Sequence, residues 1–257
     1  MVGLLLWKEE RAGKRAVMLE ERRVLQLRVC CGEILRTERT PEAVLCRRTA
    51  AALKRMKRKG VNRLILPEDF PCAALLERMD LQPVSTAALR QALAVDWVRW
   101  DLTRRGKEGP STRVAVAADR LTGEVARAIT ELALQYRYVL LDLPYGGEEL
   151  SRRLRREYGV SLLVNPSVEQ LGEAEVLVLF APRPECRAAR ALRIYDEGVP
   201  LPPLSIPPAL EEQIPKGVRR EQMLSFLREA GLLQPGQITV GRSNSAKKGG
   251  FLADWPS

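Results

Sequence analysis

Val114-Ala115-Val116-Ala117, Tyr138-Val139-Leu140-Leu141, Val160-Ser161-Leu162-Leu163-Val164 and Val176-Leu177-Val178-Leu179-Phe180 are short apolar runs set between Arg113 and Pro182. Amphipathic segments of helix length separate them. Uninterrupted apolar runs in a β-α-β-α-β rhythm are what a parallel sheet covered on both faces requires. The reading is therefore an α/β protein of Rossmann-like type, with a mostly parallel sheet.

Working toward the N-terminus, Thr40-Pro41-Glu42 opens a helix, with Thr40 expected as its N-cap and Pro41 in the first position. Gly60 closes it. Strands are expected at Arg63-Leu64-Ile65-Leu66-Pro67 and near Gln82-Pro83-Val84, with a short helix from Cys72 to Met79 and a longer one from Ser85 to about Leu102. On that longer helix Trp97 and Trp100 read as core residues. Helix, strand, Pro-containing loop, short helix and strand recur in 41–84 and 120–164, which suggests two sub-lobes. The runs at 2–7, 16–19 and 23–30, separated by polar turns at Glu9 to Lys14 and Glu20 to Arg23, suggest an antiparallel meander at the N-terminal sheet edge.

The polar, Gly- and Pro-containing stretch Thr103 to Ser111 reads as the linker between lobes. The expected division is an N-terminal lobe with meander over 1–105, a βαβαβ lobe over 112–197, a Pro-rich C-terminal extension with a small helix over 198–242, and a loose tail over 243–257. The extension holds Leu201, Ile206, Met223, Leu224, Phe226 and Leu227, too many apolar side chains to leave in water. They should dock on the chain's own body or on a second subunit.

Composition narrows the chemistry. The chain of 257 residues is 46% apolar and 29% charged, ordinary globular values. No apolar run approaches the roughly 20 residues of a membrane-spanning helix, and no basic region precedes the first apolar run, so a cytoplasmic protein without membrane attachment is expected. The five cysteines show no CxxC spacing and read as unpaired small core residues. Histidine is absent. That removes His-dependent nucleophile activation and His-ligated metals, so binding is expected rather than catalysis, a cofactor-dependent enzyme being the remaining catalytic possibility.

In open parallel sheets ligands sit beyond the carboxyl ends of strands, where the direction of chain progress reverses. Two loops qualify. One supplies Asp119, Arg120 and Thr122; the other supplies Asp142, Tyr145, Gly146 and Gly147. Neither carries GxGxxG or GxxxxGK[ST], and Glu148 and Glu149 would repel an anion at the helix start, so no particular cofactor is indicated. The ligand is expected to be a nucleotide-like small molecule, or the partner another protein.

The string Tyr136-Arg137-Tyr138-Val139-Leu140-Leu141-Asp142-Leu143-Pro144 resembles the Walker B region of ParA/MinD-type ATPases. That resemblance would assign Asp142 to a magnesium-bound nucleotide. It covers about nine residues, and the Gly-rich lysine loop that such ATPases need upstream is missing: Lys14, Lys59 and Lys107 stand in the wrong contexts. ATP hydrolysis by that route is not expected.

The formal charge of +10 raises a second reading, a nucleic-acid-associated accessory protein. Its candidates are Arg47, Lys54 and Arg58 on the helix 42–59, and Arg152 and Arg156 on the helix 148–158. Both faces read by default as solvated, with Glu148–Arg152 a local i, i+4 pair on the second.

Overall fold

The structure, a computed structural model, describes residues 1–9, 16–186 and 190–241. It divides into two compact units. The first comprises Met1–Thr86 and Pro207–Gln234; the second comprises Ala87–Ile206 and the described residues from Pro235 onward. The division thus falls before residues 87–105, not in the Thr103 to Ser111 stretch, and the C-terminal extension is shared between the units.

The first unit contains β1 (Val2–Lys8), β2 (Val17–Val24), β3 (Leu27–Leu35), α1 (Glu42–Arg58), β4 (Arg63–Ile65), α2 (Ala73–Arg78) and β5 (Gln82–Pro83). Its sheet has the order β2-β3-β1-β4-β5, parallel except for β2. The expected antiparallel strands are present as the hairpin β2–β3, while β1 pairs with β3 in parallel. Glu20 to Arg23 belong to β2 itself. The turn is Leu25-Gln26, with φ of 47° and 70°, the two left-handed residues that match the twist of a two-residue hairpin. The other expected turn, Glu9 to Lys14, lies largely outside the described residues.

α1 buries Leu45, Thr49, Ala52, Leu53 and Met56, the stripe expected from helical periodicity. Its N-cap is Pro41 rather than Thr40, whose hydroxyl instead accepts from the Thr37 backbone N–H at 2.9 Å. Cys46 on α1 and Cys72 at the start of α2 form a disulfide, which corrects the expectation of unpaired cysteines; Cys30, Cys31 and Cys186 are free.

α1 and α2 cover one face of this sheet, around Leu5, Cys30, Ile34 and Leu64. Alternate residues Leu4, Val29, Cys31 and Ile65 point to the other face and are buried as well. The extension returns to the first unit with α8 (Pro208–Glu211), which buries no side chain, and α9 (Arg220–Glu229), which runs beside β4. Met223, Leu224 and Leu227 on α9 are fully buried. The Gln222 side chain accepts from the Leu66 backbone N–H at 2.9 Å, Arg219 N–H donates to Leu66 O at 2.8 Å, and Arg63 pairs with Glu229 at 2.7 Å.

The second unit contains α3 (Ala87–Ala92), α4 (Ala94–Arg104), β6 (Arg113–Ala117), α5 (Gly123–Gln135), β7 (Tyr138–Asp142), α6 (Gly147–Tyr158), β8 (Leu162–Val164), α7 (Val168–Gly172), β9 (Val176–Leu179), β10 (Ala191–Arg193), β11 (Leu204–Ser205) and β12 (Thr239–Val240). The expected single helix from Ser85 to Leu102 is two helices separated at Leu93. β6 to β10 form a wholly parallel sheet in the order β10-β9-β6-β7-β8. Read from β6 as first strand, the order is 3-2-1-4-5, the Rossmann arrangement.

One face of this sheet packs Val114, Val116, Val139, Leu141, Val176 and Val178 against α4, α5 and α6; Ala115, Ala117, Leu140, Leu177 and Leu179 on the other pack around Leu171 of α7. Trp97 is core, as expected. Trp100 is half-buried against the end of β12, where a Cβ on Gly241 would lie 2.0 Å from the indole. The expected loose tail lies outside the described residues.

Because Leu227 is fully buried on α9, Leu227→Ala should lower the unfolding free energy by about 2–5 kcal/mol. The same change at half-buried Leu210 should cost far less. Urea denaturation of the two variants checks this.

Candidate functional site

The reversal of chain progress in the second sheet falls between β6 and β9. After β6 the chain steps through α5 to β7; to reach β9 it crosses back. The carboxyl ends of β7, β6 and β9 therefore open around one crevice, and each sends it a charged side chain: Asp142 ends β7, Asp119 lies two residues beyond β6, and Arg183 follows β9.

The Arg183 guanidinium joins them. Its Nε donates to Asp142 Oδ2 at 2.6 Å and its Nη1 to Asp119 Oδ1 at 2.6 Å, while Nη2 donates to the Ala118 carbonyl at 3.0 Å and Nη1 also to the Pro182 carbonyl at 3.1 Å. Side-chain exposure falls from 61% for Asp119 through 27% for Asp142 to 11% for Arg183. Burial alone would lower the Arg183 pKa, but the hydrogen bonds it donates to the two carboxylates, with their charge, outweigh it and the pKa is raised. The guanidinium stays charged and nearly saturated in its donors.

Of the residues expected to bind ligand, Asp119 and Asp142 are brought together. Thr122 caps α5, its hydroxyl accepting from the Val125 N–H at 3.3 Å. Arg120 is exposed and Tyr145 stands out at 83% exposure. Gly146 takes φ +83° as it turns the chain into α6. Gly147 is buried, and a Cβ there would lie 3.0 Å from Val164 Cγ1, so its missing side chain serves packing.

Arg183 stands outside the two loops that the sequence reading singles out and belongs to no motif. The run Val176 to Phe180 reads as a strand, and the carboxyl-end rule applied to it points to the arginine three residues on.

A second feature adjoins this edge. Leu121, Gly146, Glu149, Leu150, Arg152, Arg153 and Arg156 line a cleft of about 520 Å3. The three arginines are exposed and form no ion pair with a described residue, so the expected Glu148–Arg152 pair is not made. Gly146 from one reading and Arg152 and Arg156 from the other thus share one cleft. Arg47, Lys54 and Arg58 lie exposed along α1 of the first unit, at i, i+7 and i+11 on one stripe. A larger cleft of about 820 Å3 lies at the opposite, amino-terminal edge of the second sheet, lined by Arg113, Tyr136, Tyr138 and Leu163 among others.

Cys186, from the same loop as Arg183, is partly buried, and burial pushes its thiol pKa up, so it is not poised as a nucleophile. Among the described residues no group of three or more His, Cys, Asp or Glu side chains could hold a metal ion, and no helix is long and apolar enough to cross a membrane.

No protein-family model matches the chain, and no curated protein does. Among solved structures it is similar to L-tryptophan dehydrogenase from Nostoc punctiforme, at 12% identity and a TM-score of 0.29 over 58% of this chain and 42% of that one. It is also similar to the catalytic subunit of M. jannaschii aspartate transcarbamoylase, at 14% identity and a TM-score of 0.28 over 69% and 60% of the two chains. A D-isomer specific 2-hydroxyacid dehydrogenase from Lactobacillus delbrueckii ssp. bulgaricus matches at 10% identity and a TM-score of 0.26 over 60% and 56%. The chain spans only about two-fifths to three-fifths of these proteins. Likenesses this slight say nothing of what it binds; the Rossmann-like class rests on its own strand order.

Arg183 sets the mechanical role of the two aspartates. Asp142→Asn, which weakens the better buried contact, should lower the unfolding free energy by about 1–3 kcal/mol, whereas Asp119→Asn, at an exposed pair, should cost about 0–1 kcal/mol. Urea melts of both variants beside the wild type check the difference.

Proposed function

We propose that this chain is a cytoplasmic binding protein that takes a small hydroxyl- or amine-bearing molecule, of nucleoside type and without a phosphate group, at the carboxyl edge of its second sheet. The observation that carries this reading is the convergence of Asp119, Asp142 and Arg183 from three adjacent strands at the reversal point. Asp142 ends the second strand of the Rossmann order, where an acidic residue accepts from ribose hydroxyls. Its Oδ1 and most of the Asp119 carboxylate are left to accept from a ligand. Phosphate is disfavoured by charge: two carboxylates face one guanidinium, Glu124 occupies the first turn of α5, and no glycine precedes Thr122 in the first loop. With the ionic groups satisfied by one another and the Cys186 thiol held protonated, binding is favoured over catalysis.

Thermal-shift measurements with nucleosides and with their mono- and triphosphates test this. Nucleosides should raise the melting temperature of the wild type and fail to raise that of Asp119→Asn, whose unliganded stability is nearly unchanged. A larger stabilisation by the triphosphates, or none by any nucleoside, would sink it.

The cleft beside Gly146 favours a second reading, a nucleic-acid-associated role. Arg152, Arg153 and Arg156 make no ion pair with a described residue and can neutralise phosphates, and exposed Tyr145, one residue before Gly146 in the chain, offers a ring for a base to stack on. Binding to duplex DNA should then weaken with salt on a log-log plot by about 0.9 per phosphate contact. Replacing the three arginines together by Gln should flatten the slope by nearly three such contacts. The triple variant Arg47→Gln, Lys54→Gln and Arg58→Gln reports separately on α1, and no binding at low salt would eliminate this role.

A further inference from the structure

The first unit has a carboxyl edge of its own. Trp7 lies near the end of β1, Arg36 follows β3 directly, and Asp69 lies in the segment after β4, so three adjacent parallel strands again deliver their following residues to one place. With Glu9, Thr37, Glu38 and Arg39 they line a cleft of about 670 Å3.

The side chains there are organised. Asp69 Oδ1 accepts from the Trp7 indole N–H at 2.8 Å, and its Oδ2 pairs with Arg36 Nη1. The Arg36 guanidinium carbon lies 5.5 Å from the centre of the Trp7 ring, whose plane is within 10° of that of Phe70. A carboxylate thus holds the guanidinium from one side and an indole supports its flat surface.

What separates Arg36 from Arg183 is the use of its donors. Arg183 spends its N–H groups on two carboxylates and two carbonyls, whereas Arg36 has only Nη1 engaged by a described residue. The planar fork of Arg36 is held in place with its Nε and Nη2 engaged by no described residue, and Arg39, which lines the same cleft, makes no ion pair with a described residue.

We propose that this cleft is a second binding site, for a small monocarboxylate that pairs with the open donors of Arg36 and Arg39 while its apolar body lies along Trp7. A carboxylate matches the guanidinium fork with two parallel hydrogen bonds. A phosphate dianion would add two negative charges to a cleft where Glu9, Glu38 and Asp69 already outnumber Arg36 and Arg39, and a monocarboxylate adds one, so charge favours the monocarboxylate of the two.

The test uses full-length protein labelled with 5-fluorotryptophan and followed by fluorine NMR, the Trp7 resonance being assigned by its loss in Trp7→Phe. Sodium benzoate and inorganic phosphate are titrated at constant ionic strength. Benzoate should shift the Trp7 resonance saturably and phosphate should shift it much less. Arg36→Gln should weaken benzoate binding by roughly tenfold or more, and Arg39→Gln, at an exposed residue whose loss leaves the fold intact, should weaken it by a smaller factor. Asp142→Asn should leave the response unchanged, which separates this site from the crevice of the second unit. An unmoved Trp7 resonance, a stronger response to phosphate, or wild-type affinity in Arg39→Gln would each overturn the assignment, the last even if Arg36→Gln failed to fold.

Discussion

A parallel strand buried in a sheet turns apolar side chains to both faces, and each face must be sealed from water by something else in the chain. In the second unit the crossover helices do this together with the helix before the first strand, with α4, α5 and α6 on one side and α7 on the other. In the first unit α1 and α2 seal one face only. On the second face β4 receives α9, more than a hundred residues away along the chain, and that contact ties the Pro-rich extension to the first unit through Leu66, Arg63 and the buried side of α9.

The two carboxyl edges illustrate how similar topology yields different surfaces. Each collects one arginine and at least one aspartate from strands around its first strand. In the second unit two carboxylates and two carbonyls saturate the arginine, which makes it a clasp across the edge and leaves the acceptors of the aspartates as the groups available to a ligand. In the first unit a single carboxylate and an indole orient the arginine and leave donors available. The number of partners around each guanidinium, rather than its presence, decides the polarity of what each edge can hold.

Much of this was legible in the residues. Continuous apolar runs separated by helical periods identify the parallel strands, and Asp119 and Asp142 were found because strand ends can be read from where such runs stop. What escaped was long-range or conformational. The Leu25-Gln26 turn carries no glycine or asparagine to announce its left-handed backbone. The parallel pairing of β1 with β3 leaves no local mark, since a β1–β2–β3 meander and the observed order share one pattern of alternation. The Cys46–Cys72 bond joins residues whose spacing fits no motif, and Trp7, Arg36 and Asp69 meet only because three strands lie side by side.

The return of α9 to the first sheet also bears on how the protein is made. A ribosome delivers β1 to β5 early, yet β4 lacks its α9 partner until residues 220–229 emerge, after all of α3 to β11. The second unit's parallel sheet and its helices are complete before then. Synthesis therefore favours closure of the inner unit first, with β4 dependent on α9 for its final assembly. Any event that delays α9 leaves the Ile65 side of β4 as a sticky surface on the nascent chain.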